Sequence, residues 1–147
     1  MSDQGILSYL LIALQPDNVI ACFIGAMIGT LIGVLPGLGP AAAMALVIPL
    51  TLKLGPTAGL IMLAGIYYGS MYGGSTTSIL VNVPGEPASV VTTLDGYAMA
   101  KKGRAGAALA IAAIGSFVAG TISVIALQFF APLLARTALA FGPAEYF

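Results

Sequence analysis

The sequence holds no histidine, no tryptophan and a single cysteine, and only five basic and five acidic residues among 147. Each shortage removes a class of function. Without histidine there is no imidazole base, and neither Ser70 nor Ser75 sits in the Gly-x-Ser-x-Gly frame of a hydrolase nucleophile. One cysteine forms no internal disulfide, and zinc or iron–sulfur centres need more ligands than this chain supplies. The balanced charge points to no polyelectrolyte partner. An enzyme is therefore poorly supported. Charged residues make up 7% of the chain, against about 25% in an average soluble domain. With 59% hydrophobic residues, the chain lacks the polar surface that would keep it in water. The composition is that of an integral membrane protein, and the helix-length apolar runs described below make all-α the expected fold class. Cys22 lies within an apolar run and is expected to be a small buried residue.

The opening "MSDQGILSYLLIALQPDN" does not read as a secretory signal, which would start with Lys or Arg and end at a small-residue cleavage site. Its early charge is Asp3, and the apolar stretch runs into Gln15-Pro16-Asp17. The expectation is mature protein that begins with a short helix at the membrane surface.

Three runs without charge organise the remainder: Asn18–Leu52, Leu54–Gly85 and Ala105–Ala135. A span needs about 20 residues. As one helix the first run would be roughly 50 Å long at about 1.5 Å per residue, too long for tilt to absorb. It must break, and Leu35-Pro36-Gly37 is the natural place, leaving Val19–Leu35 as one span. Gly25, Gly29 and Gly33 are spaced by four, as are Gly65, Gly69 and Gly73 in the second run. Stripes of small residues let helix backbones approach closely in lipid, although glycine is also simply common in membrane helices.

The second run passes from Gly73-Gly74 into Ser75-Thr76-Thr77-Ser78, then to Asn82 and a Pro84-Gly85 turn. Non-helical backbone is expected somewhere between Gly73 and Gly85. Within the charged stretch that follows, "LDGYAMAKKG" reads as a short helix capped by Asp95, with Lys101 and Lys102 in its last turn and Gly103 ending it. The third run, Ala105 to about Phe130, is the cleanest spanning helix, and Pro132 marks its expected end. Lys101, Lys102 and Arg104 precede that run and only Arg136 follows it. The positive-inside bias then places its start in the cytoplasm.

Unwound backbone in a bilayer must face protein or a water-filled cavity. In "GVLPGLGP" the chain leaves helical geometry and restarts at Pro40, whose missing N–H is no loss at a first helical position. The new helix, "AAAMALVIPL", aims free N–H groups and the positive end of its dipole at the break, a seat for an anion without a charged side chain. Half-helices of this kind meet substrate carboxylates in secondary transporters. As a dinucleotide fingerprint the stretch lacks a preceding strand and a ribose-binding acid, and as a P-loop it lacks the lysine. A plain proline kink stays open. So do two readings of Ser75–Ser78: hydroxyls that bond back to the previous turn, or hydroxyls that line a second break. Glu86 is either a cation ligand or the cap of a helix starting at Pro87.

"GVLPGLGP", then "YYGSMYGGSTTSILVNVPGEPASVVTTLDGYAMAKKGRAGAALAIAAIGSF", resembles the N-terminal part of the TctA family, the large membrane subunit of tripartite tricarboxylate transporters. The resemblance covers nearly the whole chain. It implies a small TctB-like membrane subunit and a periplasmic TctC-like solute-binding protein as partners. It implies import of citrate-like tricarboxylates or related carboxylates, driven by a sodium or proton gradient, in the bacterial inner membrane. No cofactor beyond that coupling cation is implied, and no nucleic acid. The implied architecture is an elevator-like pair of inverted repeats with broken helices. Residues 1–147 would supply one half, three to four membrane segments, as a fragment or truncated product. The substrate region carried over by motif is Pro36, Gly37, Gly39 and Pro40, with Ser75, Thr76, Thr77, Ser78, Asn82, Pro84 and Gly85. A rival reading is a small membrane scaffold or assembly subunit without a substrate, whose glycines serve packing alone.

Overall fold

A computed structural model describes residues 6–138. Asp3 and the rest of the opening five residues lie outside them, as do Phe141–Phe147 and the side chain of Arg136. Every regular element among the described residues is helical. Two compact units divide the chain after Ala112.

In the first unit, α1 (Ile6–Ala13) is short and largely exposed, and a tight turn leads into α2 (Pro16–Gly33). Asn18 fastens the turn by donating its side-chain amide to the Ile12 carbonyl at 2.7 Å. The first charge-free run breaks as its length requires. α2 ends at Gly33, the chain turns through residues 34–39, and α3 (Pro40–Thr51) restarts at proline. α4 (Pro56–Val81) follows. Proline is the first residue of α2, α3 and α4, at the one helical position where its lost donor costs nothing.

The two glycine stripes face each other. A Cβ built on Gly25, Gly29 or Gly33 would meet the backbone of Met62, Ile66 or Ser70, and one built on Gly65, Gly69 or Gly73 would meet the Cys22, Ala26 or Thr30 carbonyl, every one within 3.0 Å. The hydrogen in each of those places points at a carbonyl oxygen instead, a weak Cα–H···O contact worth about 0.5–1 kcal/mol. α2 and α4 are thus joined backbone to backbone, which lipid-soluble helices achieve only through residues this small. α3 closes one side of the seam, with Ala43 and Val47 packed on Ala21, Met62 and Ile66.

Beyond α4 a helical path runs from Pro87 to Lys101. It passes through a 3₁₀ turn (Pro87–Ser89), one α turn as α5 (Val90–Thr92), a π turn (Thr93–Tyr97) and α6 (Ala98–Lys101). Asp95 is therefore not a cap. It lies inside the π turn, and the path begins at Pro87, behind the Glu86 cap that the sequence offers as one of two readings. The wide turn leaves room for Ile79 of α4 against Gly96, where a Cβ would stand 2.7 Å from that side chain. Gly103, at φ +74°, ends the path as expected, since a left-handed residue at that point favours glycine.

α7 (Ala105–Ala138) begins in the first unit, and its remainder is the second. The helix does not stop at position 132, contrary to the expectation from the sequence. Proline removes one donor and crowds one carbonyl, but it does not forbid a helix whose neighbours all favour it. Residues 105–131 and α2 are each long and apolar enough to cross a membrane. Cys22 also departs from expectation: its side chain is exposed on α2, while its carbonyl packs on Gly65. On a helix facing lipid, a small thiol fits the outer surface as well as a core.

Candidate functional site

The two breaks meet. Val34 continues α2 with helical angles and donates to the Thr30 carbonyl at 3.1 Å. Leu35 and Leu38 close tight turns, on Ile32 at 2.9 Å and Leu35 at 3.2 Å. Between them Gly37 takes φ +87°, open to glycine at little cost. Its N–H leaves the turn and donates to the Gly85 carbonyl at 3.1 Å. That single bond ties "PGLGP" to "PGEP", segments 48 residues apart by subtraction of their numbers.

The second break occupies residues 82–86. α4 ends when Asn82 turns left-handed (φ 59°, ψ 28°), the one positive-φ residue other than glycine among those described. Asparagine tolerates this conformation better than other side chains. Asn82→Gly should therefore leave thermal stability within a few tenths of a kcal/mol, whereas Asn82→Val should lower it by about 1–3 kcal/mol; paired melting curves in detergent would check both. Gly85 then enters a slot in which a Cβ would collide with the Gly33 carbonyl and stand 2.6 Å from the Gly74 Cα. Three glycines from three segments thus form the floor of the junction.

Ser75, Thr76, Thr77 and Ser78 do not line the break. They lie within α4, and each hydroxyl donates to a carbonyl of the previous turn: Ser75 to Met71 (3.1 Å), Thr76 to Tyr72 (2.9 Å), and Thr77 and Ser78 both to Gly74 (3.0 and 2.8 Å). This is the back-bonded of the two readings left open by the sequence. Ser78 is fully buried, and for any of the four to donate to an anion its hydroxyl would have to leave the helix carbonyl. The structure therefore joins Pro36–Pro40 to Asn82–Gly85 directly, with the hydroxyl run in the last two turns of helix leading there.

At Gly39 the backbone is extended (φ −72°, ψ 173°), and a Cβ built there meets nothing within 4 Å. α3 then starts, its first turn closed by Ala43 N–H on the Gly39 carbonyl at 3.1 Å. The Ala41 and Ala42 N–H groups of that turn have no carbonyl one turn back within the helix. The arrangement supplies oriented N–H dipoles beside open space, with no basic side chain.

Glu86 was legible as a cap or a ligand. It occupies the capping position before Pro87, with its own N–H donating to Ser89 Oγ at 3.3 Å and that hydroxyl donating back to the Glu86 carbonyl at 2.8 Å. The residue is 7% exposed, its Cγ packed on Gly74. It lies outside both membrane-length helices, and burial pushes its carboxyl above the ordinary value. A carboxyl raised in the fold contributes stability at low pH that is lost as pH climbs through its folded pKa.

In the sequence Ser70 offers only a nucleophile without its frame. It is 1% exposed, in the inward row Met62, Ile66, Ser70, Gly74, Ser78 of α4, and its hydroxyl has no partner. The four-residue spacing of that row was the available signal. No group of three or more His, Cys, Asp or Glu residues among those described is placed to hold a metal ion.

Helices broken at glycine and proline, a side-chain-free seam and apolar outer faces define an all-helical protein of the integral-membrane type. The chain matches the tripartite tricarboxylate transporter TctA family over residues 19–147, and it belongs to that family. It is 58% identical over 135 residues to the 52.8 kDa protein of the TAR-I ttuC' 3' region of Agrobacterium vitis, a match covering 92% of this chain and 27% of that protein. The chain thus spans about a quarter of the relative's length. No solved structure matches it.

Proposed function

We propose that this segment is part of the membrane permease of a tripartite transporter, working in a bacterial inner membrane with a small TctB-like subunit and a periplasmic TctC-like binding protein. The cargo is a citrate-like tricarboxylate or a related carboxylate, moved by a cation gradient. The observation that carries the reading is the Gly37–Gly85 hydrogen bond, which brings two helix breaks to one place beside the start of α3. Family membership supports the tripartite setting. A scaffold would need the glycine seam, but it has no use for two unwound segments bonded to each other. One helix end stabilises an anion by only about 0.3–2 kcal/mol. Several donors, coupling cations and groups elsewhere in a full-length protein must therefore act together. The test is citrate uptake by the full-length transporter with its two partners, in wild type and in Gly39→Leu. An inverted repeat moving as an elevator is the architecture this reading expects.

The orientation proposed from charge has its own check. Lys101, Lys102 and Arg104 stand just before α7, with the Lys101 ammonium 4.8 Å above the Tyr97 ring. In a Lys102→Cys variant whose native Cys22 is replaced by serine, an impermeant thiol reagent should label only after the cells are opened. Labelling of intact cells would reverse the topology.

A further inference from the structure

The geometry points to Glu86 as the group that couples anion binding to proton uptake: its carboxylate must be neutralised by one proton before an anionic substrate can occupy the junction. This rests on the reading that the junction receives a carboxylate. Glu86 follows Gly85, the residue whose carbonyl holds the two breaks together, and is packed against Gly74 on the junction floor. It is the only buried acidic side chain among those described.

Among the described residues, the helices packed around it bring no countercharge to it. From Gly25 to Gly33, α2 carries no titratable group, and from Ser70 to Val81, α4 carries Tyr72 alone. The helical path that Glu86 opens holds Asp95, Tyr97, Lys101 and Lys102, and the upward push on its carboxyl has burial as its sole cause. Glu86 follows Gly85, whose partner Gly37 stands two residues before the Gly39 cap of α3; with an anion at that junction the buried carboxylate faces both desolvation and like-charge repulsion, and each favours the neutral acid. Substrate entry therefore draws a proton from the water on the side where the anion enters. The carboxylate oxygen takes it, an O–H bond forms, and no electrons move between groups. Release of the anion on the other side lets the proton leave. By linkage, anion affinity falls toward about tenfold per pH unit once pH exceeds the Glu86 pKa.

Calorimetric titration of citrate into the purified full-length transporter, in two buffers of different ionisation enthalpy, gives the proton number directly. The titration is run well on the alkaline side of neutrality, where all three citrate carboxyls are ionised and citrate's own titration does not intrude. The wild type should take up close to one proton per citrate in the alkaline range, with affinity falling as pH rises. Glu86→Gln should take up none, with affinity flat over the same range. A wild type that binds citrate without proton uptake would overturn the assignment even if the variant fails to fold. So would a Glu86→Gln variant with the wild-type proton number. Sodium-dependent binding without protons, abolished as a dependence in Glu86→Gln, would place a metal cation there instead and equally overturn it. A failure of the underlying reading looks different: either no citrate binding by the wild type, or undiminished binding by Gly39→Leu.

Discussion

Gly29→Leu should yield almost no folded protein, while Gly106→Ala should melt at or slightly above the wild-type temperature. At Gly29 any Cβ meets the backbone of Ile66, which sits mid-helix and cannot swing away as a side chain would. The two helices must separate along the whole seam, because Gly25 and Gly33 on one side and Gly65, Gly69 and Gly73 on the other depend on the same spacing. Overpacking in a core costs typically about 1–3 kcal/mol and more where nothing can yield. Here it also breaks a row of Cα–H···O contacts at about 0.5–1 kcal/mol each. Against a total stability of about 5–15 kcal/mol, that is enough to remove the native state. Gly106, in the first turn of α7, has nothing within 4 Å of a Cβ, so alanine there gains up to about 1 kcal/mol of helix propensity. Yield and melting temperature in a mild detergent read out both. A Gly29→Leu protein that folds like the wild type would dismiss the seam as the organising contact.

Gly39→Leu should do the reverse, leaving folding intact and abolishing carboxylate uptake. The φ of −72° suits any residue, and the space around a Cβ is empty. That emptiness lies beside the free N–H groups that open α3. A leucine there would fill the approach an anion needs, so the expected result is normal insertion and expression with uptake reduced to background. Normal uptake at equal expression would move the binding site away from this segment. The contrast between Gly29 inside α2 and Gly39 at the start of α3, one needing contact and the other needing vacancy, separates architecture from cargo handling on the two sides of one helix break.

Much of this was readable without coordinates. Charge-free length forced the first break, and the four-residue glycine spacing named both faces of the seam by residue. What escaped was governed by local hydrogen bonding that residue type alone leaves ambiguous. Ser75–Ser78 suit a break or a helix equally, and the Met71, Tyr72 and Gly74 carbonyls settle them into the helix. Asp95 has the chemistry of a cap but sits mid-path, because Pro87 with the Glu86–Ser89 pair starts the helix earlier. A proline at 132 looked terminal, yet a helix rich in alanine and leucine runs past it. The Gly37–Gly85 bond was beyond sequence reading altogether, since nothing in either motif names the other as its partner.

The glycine seam has a mechanical consequence. Two helices separated by ordinary side chains can slide by fractions of a turn as rotamers adjust. α2 and α4 touch through main-chain atoms, and a shift of one residue would bring residues with side chains to places where a Cβ meets a carbonyl. The next permitted alignment lies four residues away, a jump of about 6 Å along the axis, with no soft intermediate. The pair is therefore a stiff plank. Any displacement this segment undergoes in the membrane must carry both helices together, and the bending falls at the non-helical connections that leave the pair, residues 34–39, 52–55 and 82–86.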